Sequence, residues 1–137
     1  MALALTCLGK LTLRWIGPQC LNTETVAELS PHVPGVYALM AFSPHVSNYT
    51  VYYVGESEDI RRRLHEHTRS PKFILWTLHA RLRTYFAYAE VPTPILRSAA
   101  EAALIRVLAP VGNDEVPWAL DIEVNPPPTG FFGENED

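Results

Sequence analysis

Apolar and polar residues alternate near the N-terminus of the chain. From Leu11 to Trp15 every second residue is apolar, and a period of two predicts a strand with one buried face. A glycine and a proline then break the strand, and TETVAEL (23–29) predicts a short helix or turn. We therefore expect residues 1–30 to form an extension packed on a domain.

Three further stretches have strand patterns. Residues 36–42 and 49–54 are rich in β-branched and aromatic types, and the segment SPHVSN joins them. A connection of that length favours an antiparallel hairpin. Residues 83–91, RTYFAYAEV, alternate again and predict a third strand. Together these stretches predict a small three-stranded antiparallel sheet.

The stretches between and after these strands have helical spacing. Acidic and hydroxyl residues at 57–59 suit a helix N-terminus, and Ile60 and Leu64 then lie one turn apart as a buried stripe. KFILWTLHARL (72–82) predicts a second helix. Residues 93–109 predict a third, with a proline at its first position and another just after its end. The order ββααβα predicts an α+β domain in which helices flank the sheet.

The last part of the chain changes in character. WALDIEV (118–124) allows one more strand, and the remaining NPPPTGFFGENED is rich in proline and acids. We expect that tail to be disordered on its own. The prediction is thus an extension (1–30), a domain (31–113) and an acidic, partly disordered C-terminal segment (114–137).

Composition indicates a soluble protein. The apolar fraction is 47% and the charged fraction 19%, which is typical of globular chains. Cys7 and Cys20 cannot by themselves build a zinc site and favour a reducing cytoplasm. No run approaches the roughly 20 apolar residues of a membrane span, and the apolar MALALTCLG lacks the basic flank of a signal peptide. We expect a cytoplasmic protein.

Charge is distributed unevenly along the chain. The formal net charge is −4, but residues 114–137 hold seven acids and no Lys or Arg. The other 113 residues carry eight acids and all 11 bases, a net of +3, and seven of these bases lie between Arg61 and Arg83. This basic cluster is compatible with phosphate binding. The alternative is that it forms solvated helix faces.

Three side chains indicate chemistry by their positions alone. Arg63 and His67 lie beside the buried stripe of the first predicted helix, just past a strand end, where they could hold an anion. Glu101 lies on the apolar side of the last helix, where an ionised carboxylate is costly unless it binds a cation or a partner. The alternative for Glu101 is an ion pair with Arg97, one turn earlier. The alternative for Arg63 is a surface position in an RRR run.

The order of the motifs resembles the GIY-YIG nuclease domain family. Two tripeptides, GVY ending at Tyr37 and YVG beginning at Tyr53, stand at the places of the two that name the family. The downstream residues follow in the family's order: Arg63, His67, Glu101, Pro110 and Asn113. The resemblance spans roughly Pro34 to Asn113 and implies the same α+β fold.

The resemblance implies a role for each side chain. Glu101 would hold Mg²⁺, or another divalent cation such as Mn²⁺, and Arg63 would hold the non-bridging phosphate oxygens. Tyr37 and Tyr53 would orient and deprotonate the attacking water; which one is the base stays open, and such a base needs a lowered pKa. His67 would assist proton transfer or contact phosphate.

Two of these assignments have structural alternatives. Asn113 would position substrate or brace the metal site, but it could also cap the helix C-terminus. The two tyrosines, as strand residues, could simply be core or cross-strand partners.

The function implied is a metal-dependent endonuclease, a hydrolase that cuts DNA phosphodiester bonds and leaves 3′-hydroxyl and 5′-phosphate ends. The alternative is a degenerate domain of the same family that binds nucleic acid or a protein partner without cleaving. Glu56 favours this alternative, because some branches of the family have lysine directly after YVG and an acid there repels phosphate. The acidic tail favours it too.

Two more expectations concern the substrate specificity of the protein and the positions of the candidate site residues. No DNA-reading module accompanies the domain, so specificity would come from its own small surface, from a homo-oligomer or from a separate targeting subunit. The choice between DNA and RNA stays open. We expect five side chains to line one concave cleft, and Glu101 and Arg63 on opposite sides of the sheet would end the nuclease interpretation. The five are Tyr37, Tyr53, Arg63, His67 and Glu101.

Overall fold

A four-stranded antiparallel sheet forms the centre of the computed structural model, which describes residues 9–43, 47–71, 84–113, 116–117 and 119–129. The strands lie in the order β2-β5-β3-β4. Their bounds are β2 Ile16–Cys20, β3 Gly35–Ser43, β4 Asn48–Ser57 and β5 Thr84–Glu90. Two short strands, β1 (Lys10–Leu11) and β6 (Glu123–Val124), pair with each other in parallel. The α+β class is confirmed.

The sheet has one strand more than the three predicted. The additional strand is β2, which comes from the N-terminal extension and pairs antiparallel with β5. Gly17 and Pro18, expected to break a strand, lie inside β2, and the pairing is irregular between Ile16 and Gln19. Because β2 is an edge strand, a proline without an amide hydrogen can be accommodated there. The extension is therefore part of the central sheet.

The described helices begin where the capping residues allow. Helix α1 (Thr23–Ala27) begins after Asn22, whose Oδ1 accepts the Thr25 amide at 2.8 Å. Helix α2 (Ile60–Thr68) begins after Asp59, whose Oδ1 accepts the Arg62 amide at 3.2 Å. Helix α3 (Pro94–Leu108) has proline in its first turn, as predicted. The predicted helix over 72–82 lies outside the described residues.

Two apolar clusters cover opposite faces of the sheet. Successive residues of β3 point to opposite faces: Val36 and Ala38 pack in the cluster that includes Leu96 and Leu104 of α3. Tyr37 and Leu39 of the same strand pack in the other cluster, with α2 residues such as Ile60 and Leu64. Helix α3 therefore lies on one face of the sheet and α2 on the other. Strand β4, at an edge of the sheet, borders both faces.

Part of the proline-rich segment lies against the domain. The Asn125 side chain accepts the Leu13 amide at 2.7 Å and donates to its carbonyl at 2.9 Å, and Pro127 is buried. The Tyr49 amide donates to the carbonyl of Thr129 at 2.8 Å. We expected this segment to be disordered on its own, but these contacts hold it to β4 and to the N-terminal residues. Residues 130–137 lie outside the described part.

Within the described ranges, no helix is both long and apolar enough to cross a membrane.

Candidate active site

The two glycines of the tripeptides are required by close packing. In the register of β3 and β4, Tyr37 lies opposite Gly55, and a Cβ on Gly55 would overlap the Tyr37 hydroxyl. A Cβ on Gly35 would likewise overlap the carbonyl oxygen of Ala89 on β5. Glycine therefore allows β5 to approach β3, and it leaves the space beside β4 in which the Tyr37 hydroxyl lies.

A hydrogen bond joins Tyr37 to His67. The Tyr37 side chain is fully buried on the face that α2 covers, and its hydroxyl oxygen lies 2.7 Å from His67 Nε2. Burial, together with the positive charge of Arg63, lowers the pKa of His67 to about 4. The imidazole is therefore neutral at pH 7, and Nε2 either accepts this bond from the Tyr37 hydroxyl or donates it, according to the tautomer.

Tyr37 itself remains protonated at neutral pH. Burial raises its pKa, the neighbouring Tyr53 raises it further, and Arg63 offsets only part of this. A tyrosine base needs a lowered pKa, so Tyr37 is poorly suited to act alone. The neutral imidazole of His67 keeps one nitrogen lone pair, and it is therefore the proton acceptor that the pair offers.

Tyr53 and Arg63 complete the group on the α2 face. The Tyr53 ring centroid lies 6.2 Å from that of Tyr37 and 5.4 Å from that of His67. Arg63 Nη1 donates to Glu66 Oε1 at 3.0 Å, and 42% of the arginine side chain is exposed. Burial alone would lower the pKa of Arg63, but Glu66 and the two tyrosines raise it above its usual value. The group therefore offers an anion a permanent cation beside two hydroxyls and a neutral imidazole.

Glu101 lies half-buried on α3. Within the described part of the chain, its carboxylate makes no hydrogen bond or ion pair. Burial raises its pKa to about 7, and the negative charge of Glu56 contributes. A carboxyl group in this state gains from a nearby cation, because the cation would stabilise its ionised form.

Arg97 pairs with Glu56 and not with Glu101. Its Nε donates to Glu56 Oε1 at 2.8 Å, and its Nη1 lies 3.3 Å from the carbonyl oxygen of Val91. The Arg97 side chain is 6% exposed and that of Glu56 is 30% exposed. The ion pair that we weighed as the alternative for Glu101 is therefore not formed, because Arg97 reaches across to β4.

A divalent cation fits the surroundings of Glu101. Within the described ranges, no group of three or more His, Cys, Asp or Glu side chains is placed to hold a metal ion. Mg²⁺ does not need such a group, because it commonly binds through one or two carboxylates and keeps several waters. Among the described residues, Glu101 offers such a cation one carboxylate, whereas Glu56 nearby is bonded to Arg97.

Asn113 braces the edge strand. Its Oδ1 accepts the Val54 amide at 2.8 Å, and its Nδ2 donates to the Val54 carbonyl at 2.9 Å. The adjacent Gly112 amide donates to the carbonyl of Tyr52 at 2.6 Å. The side chain does not cap α3, whose C-cap is Ala109. Asn113 thus holds the strand between Tyr53 and Gly55, and both ends of its amide are already used.

The structure divides the predicted site residues between two faces of the sheet. Tyr37, Tyr53, Arg63 and His67 lie together on the α2 face, whereas Glu101 belongs to α3 on the other face. Glu101 and Arg63 therefore lie on opposite sides of the sheet, which is the arrangement that we expected to end the nuclease interpretation. Both groups approach the edge strand β4 from its two faces, near Gly55 and Glu56. A single phosphate could contact both groups only if it lay across that edge.

Contacts of α3 bring Glu101 towards this edge. Arg97 reaches Glu56 on β4, and Glu101 lies one turn further along the same side of the helix. Glu56 in turn follows Gly55, against which the Tyr37 hydroxyl packs. The part of β4 that carries Gly55 and Glu56 therefore lies between the two groups.

The Arg97–Glu56 pair is the part of the site that sequence reasoning did not identify. Arg97 lies in a helix whose neighbouring residues are apolar, and a buried arginine requires an acidic partner. The sequence carries that signal, but the partner weighed for Arg97 was Glu101, as the alternative to a metal site, because it lies one turn away on the same helix. The true partner is 41 positions away along the chain, which helical spacing alone cannot show.

Comparisons with family models, with curated proteins and with solved structures found no match to this chain.

Proposed function

We propose that this protein is a metal-dependent endonuclease of GIY-YIG type that hydrolyses DNA phosphodiester bonds at the edge of β4. The observation that carries the proposal is the 2.7 Å hydrogen bond between Tyr37 and a buried, neutral His67, with Arg63 beside them. The neutral imidazole, a weak base because its pKa is about 4, can take a proton from water, and the permanent cation beside it can bind the phosphate.

The hydrolysis can be followed atom by atom. A water oxygen attacks phosphorus, and its proton passes to His67 directly or through the Tyr37 hydroxyl, which gives its own hydrogen to Nε2. The bond from phosphorus to the 3′ oxygen breaks, and that oxygen takes up a proton. The products are a 5′-phosphate and a 3′-hydroxyl. Arg63 stabilises the negative charge on the non-bridging oxygens, and Tyr53 orients the water.

Glu101 is the residue that would hold the divalent cation. When bound, Mg²⁺ supplies stabilisation of charge on the leaving oxygen. The Arg97–Glu56 pair fixes the part of β4 that lies between Glu101 and the tyrosines. Asn113 keeps this edge in register through Val54. Asn113 therefore acts in our proposal by bracing the strand.

The division of the residues between two faces favours a second candidate function. A degenerate domain would bind nucleic acid, or a protein partner, through Arg63 and the basic side chains around it without cutting. Glu56 also favours this binding function, because its negative charge would repel a phosphate at the edge of β4. The same charge contributes to the raised pKa of Glu101. In either function the protein would act in the cytoplasm, alone, as a homo-oligomer or with a targeting subunit.

Cleavage of a supercoiled plasmid separates the two functions. We expect the wild-type protein to nick the plasmid with Mg²⁺ or Mn²⁺ and not with EDTA. An RNA of equal length in parallel decides between DNA and RNA as the substrate. Binding of labelled DNA without any Mg²⁺-dependent nicking would contradict the endonuclease and establish the binding function.

A further inference from the structure

A groove runs between α1 and α2 on the side of α2 away from the tyrosines. It encloses about 580 Å³. The eight residues that line it come from the N-terminal extension and from α2 and its cap: Thr23, Val26, Ala27, Pro31, Asp59, Arg61, Arg62 and His65. The extension thus builds a surface that the motif residues do not form.

The basic groups in this groove are available to a ligand. Of the contacts that the structure describes, none pairs the guanidinium of Arg61 or Arg62 with an acid. His65 is exposed beside them. Arg63, one position further, is already bonded to Glu66. Two unpaired guanidinium groups on one groove are a footprint for phosphate.

The acid in the groove does not cancel this charge. Asp59 Oδ1 accepts the Arg62 amide at 3.2 Å as the cap of α2. Its other oxygen lies 3.5 Å from Nδ1 of His32. Its carboxylate is therefore turned to the helix end and to His32. Two arginines and one aspartate leave the groove with a net charge of +1, without counting His65.

The helix places the groove and the candidate active site on its two flanks. With 100° per residue, Arg61 and His65 lie on one side of the buried stripe of Ile60 and Leu64, and Arg63 lies on the other. The two flanks are separated by the width of a helix, about 10 Å. One strand of nucleic acid carries a charge about every 3.4 Å of helix axis, so about three phosphates span that distance.

We propose that the groove between α1 and α2 is a second nucleic-acid contact, where Arg61 and Arg62 bind backbone phosphates of the strand that reaches the candidate active site. This inference rests on the proposed function, since it takes nucleic acid as the ligand. Val26, Ala27 and Pro31 form an apolar floor for the sugars, and the arginines form the rim. Contacts of this type position the strand without reading its sequence.

Binding of a labelled oligonucleotide tests the proposal without any cleavage. The affinity is measured by fluorescence anisotropy in EDTA over a salt series, with single-stranded and duplex DNA. The test variant is R61E/R62E. The control is R14E/R106E, which changes the net charge equally but lies on exposed positions outside the groove.

We expect R61E/R62E to lose about tenfold or more in affinity at low salt relative to the control. The slope of log K against log salt concentration should be shallower by about 1.4 for single strands or about 1.8 for duplex DNA. This difference corresponds to the loss of two phosphate contacts. The conservative R61K/R62K should retain most of the affinity, because lysine also binds phosphate as a point charge. Thermal melts of all variants show that the fold is kept.

Three results would overturn the inference. If R61E/R62E and R14E/R106E bind equally, the groove makes no contact, while binding by the wild type still supports the proposed function. If R61E/R62E loses binding to polyglutamate but not to DNA, the groove takes an acidic protein. If the wild type binds neither DNA nor RNA, the proposed function fails together with the inference.

Discussion

At the scale of single residues, the candidate site depends on two groups whose ionisation is shifted by burial. His67 is held neutral and Glu101 is held partly protonated near neutral pH. The sequence predicted that both residues matter, because they match the motif order of the family that the chain resembles. It could not predict their charge states, since burial and the neighbours Arg63 and Glu56 follow from the tertiary packing.

The first prediction concerns His67 and the pH dependence of stability. Its pKa is about 4 in the folded protein, below its ordinary value near 6.5, so the unfolded chain binds the extra proton between these values. The free energy of unfolding should therefore fall as pH drops from 6.5 to 4, by about 3 kcal/mol from this residue. Urea unfolding at a series of pH values measures it.

Matched variants isolate the contribution of His67. The fall in the free energy of unfolding between pH 6.5 and pH 4 should be smaller in His67→Gln than in the wild type. It should be unchanged in His65→Gln, because His65 is exposed on the same helix. Equal slopes for the wild type and His67→Gln would show that the imidazole is not held neutral by burial.

The second prediction concerns Glu101. Its folded pKa of about 7 lies above the ordinary value, so the stability it contributes is present at low pH and is lost as pH rises through 7. Glu101→Gln should keep the fold, remove this loss at pH 8 and abolish cleavage. Mg²⁺ at 10 mM should raise the melting temperature of the wild type and not of the variant.

A variant that unfolds would indicate that the Glu101 carboxylate has a structural partner. An equal Mg²⁺ effect on wild type and Glu101→Gln would place the cation elsewhere.

At the scale of elements, the site is held by contacts to the edge strand β4. Arg97 of α3 binds Glu56, and Asn113 binds Val54. The strands β3, β4 and β5 and the described helices were predicted from periodicity and caps. The strand β2 was not predicted, because Gly17 and Pro18 indicated a break in the strand. A proline can be accommodated there because β2 lies at the edge of the sheet.

The third prediction concerns the Arg97–Glu56 pair. Glu56→Ala leaves a buried guanidinium without its partner, which should cost about 2–3 kcal/mol of unfolding free energy, below a fully buried pair because Glu56 is 30% exposed. Glu66→Ala, which breaks the exposed pair with Arg63, should cost less than about 1 kcal/mol. Chemical denaturation of the two variants gives both values, and equal costs would contradict the positioning role of Arg97.

At the scale of the whole molecule, the two ends of the chain add to the domain. The extension supplies β2 and α1, and residues 119–129 supply β6 and the Asn125 and Thr129 contacts. Residues 1–30 were expected to pack on the domain, whereas the composition of the C-terminal segment suggested disorder, since proline and acids are common in disordered segments. Specific hydrogen bonds to Leu13 and Tyr49 hold them, and composition does not reveal such bonds.

The fourth prediction concerns the acidic end. Residues 130–137 hold three acids and no Lys or Arg, and such a segment competes with DNA for arginines at low salt. The carbonyl of Thr129 accepts the Tyr49 amide, so the cut is placed after Thr129 to keep this contact. Truncation should tighten DNA binding by about threefold to tenfold at low ionic strength. Equal DNA affinities of the full-length and truncated proteins at every salt concentration would contradict this competition. The alternatives would then be that Phe131 and Phe132 anchor this end of the chain or that the end is solvated.

The central claim is that groups from two faces of the sheet act on one phosphate at the edge of β4. The most direct measurement is the single-turnover cleavage rate of the wild type, Arg63→Ala, Glu101→Gln and the double variant with Mg²⁺. If both residues act on the same phosphate, the double variant should be no slower than the slower single variant, because residues that act as a unit are strongly non-additive. Wild-type rates in Glu101→Gln, or no Mg²⁺-dependent cleavage by the wild type, would contradict the claim.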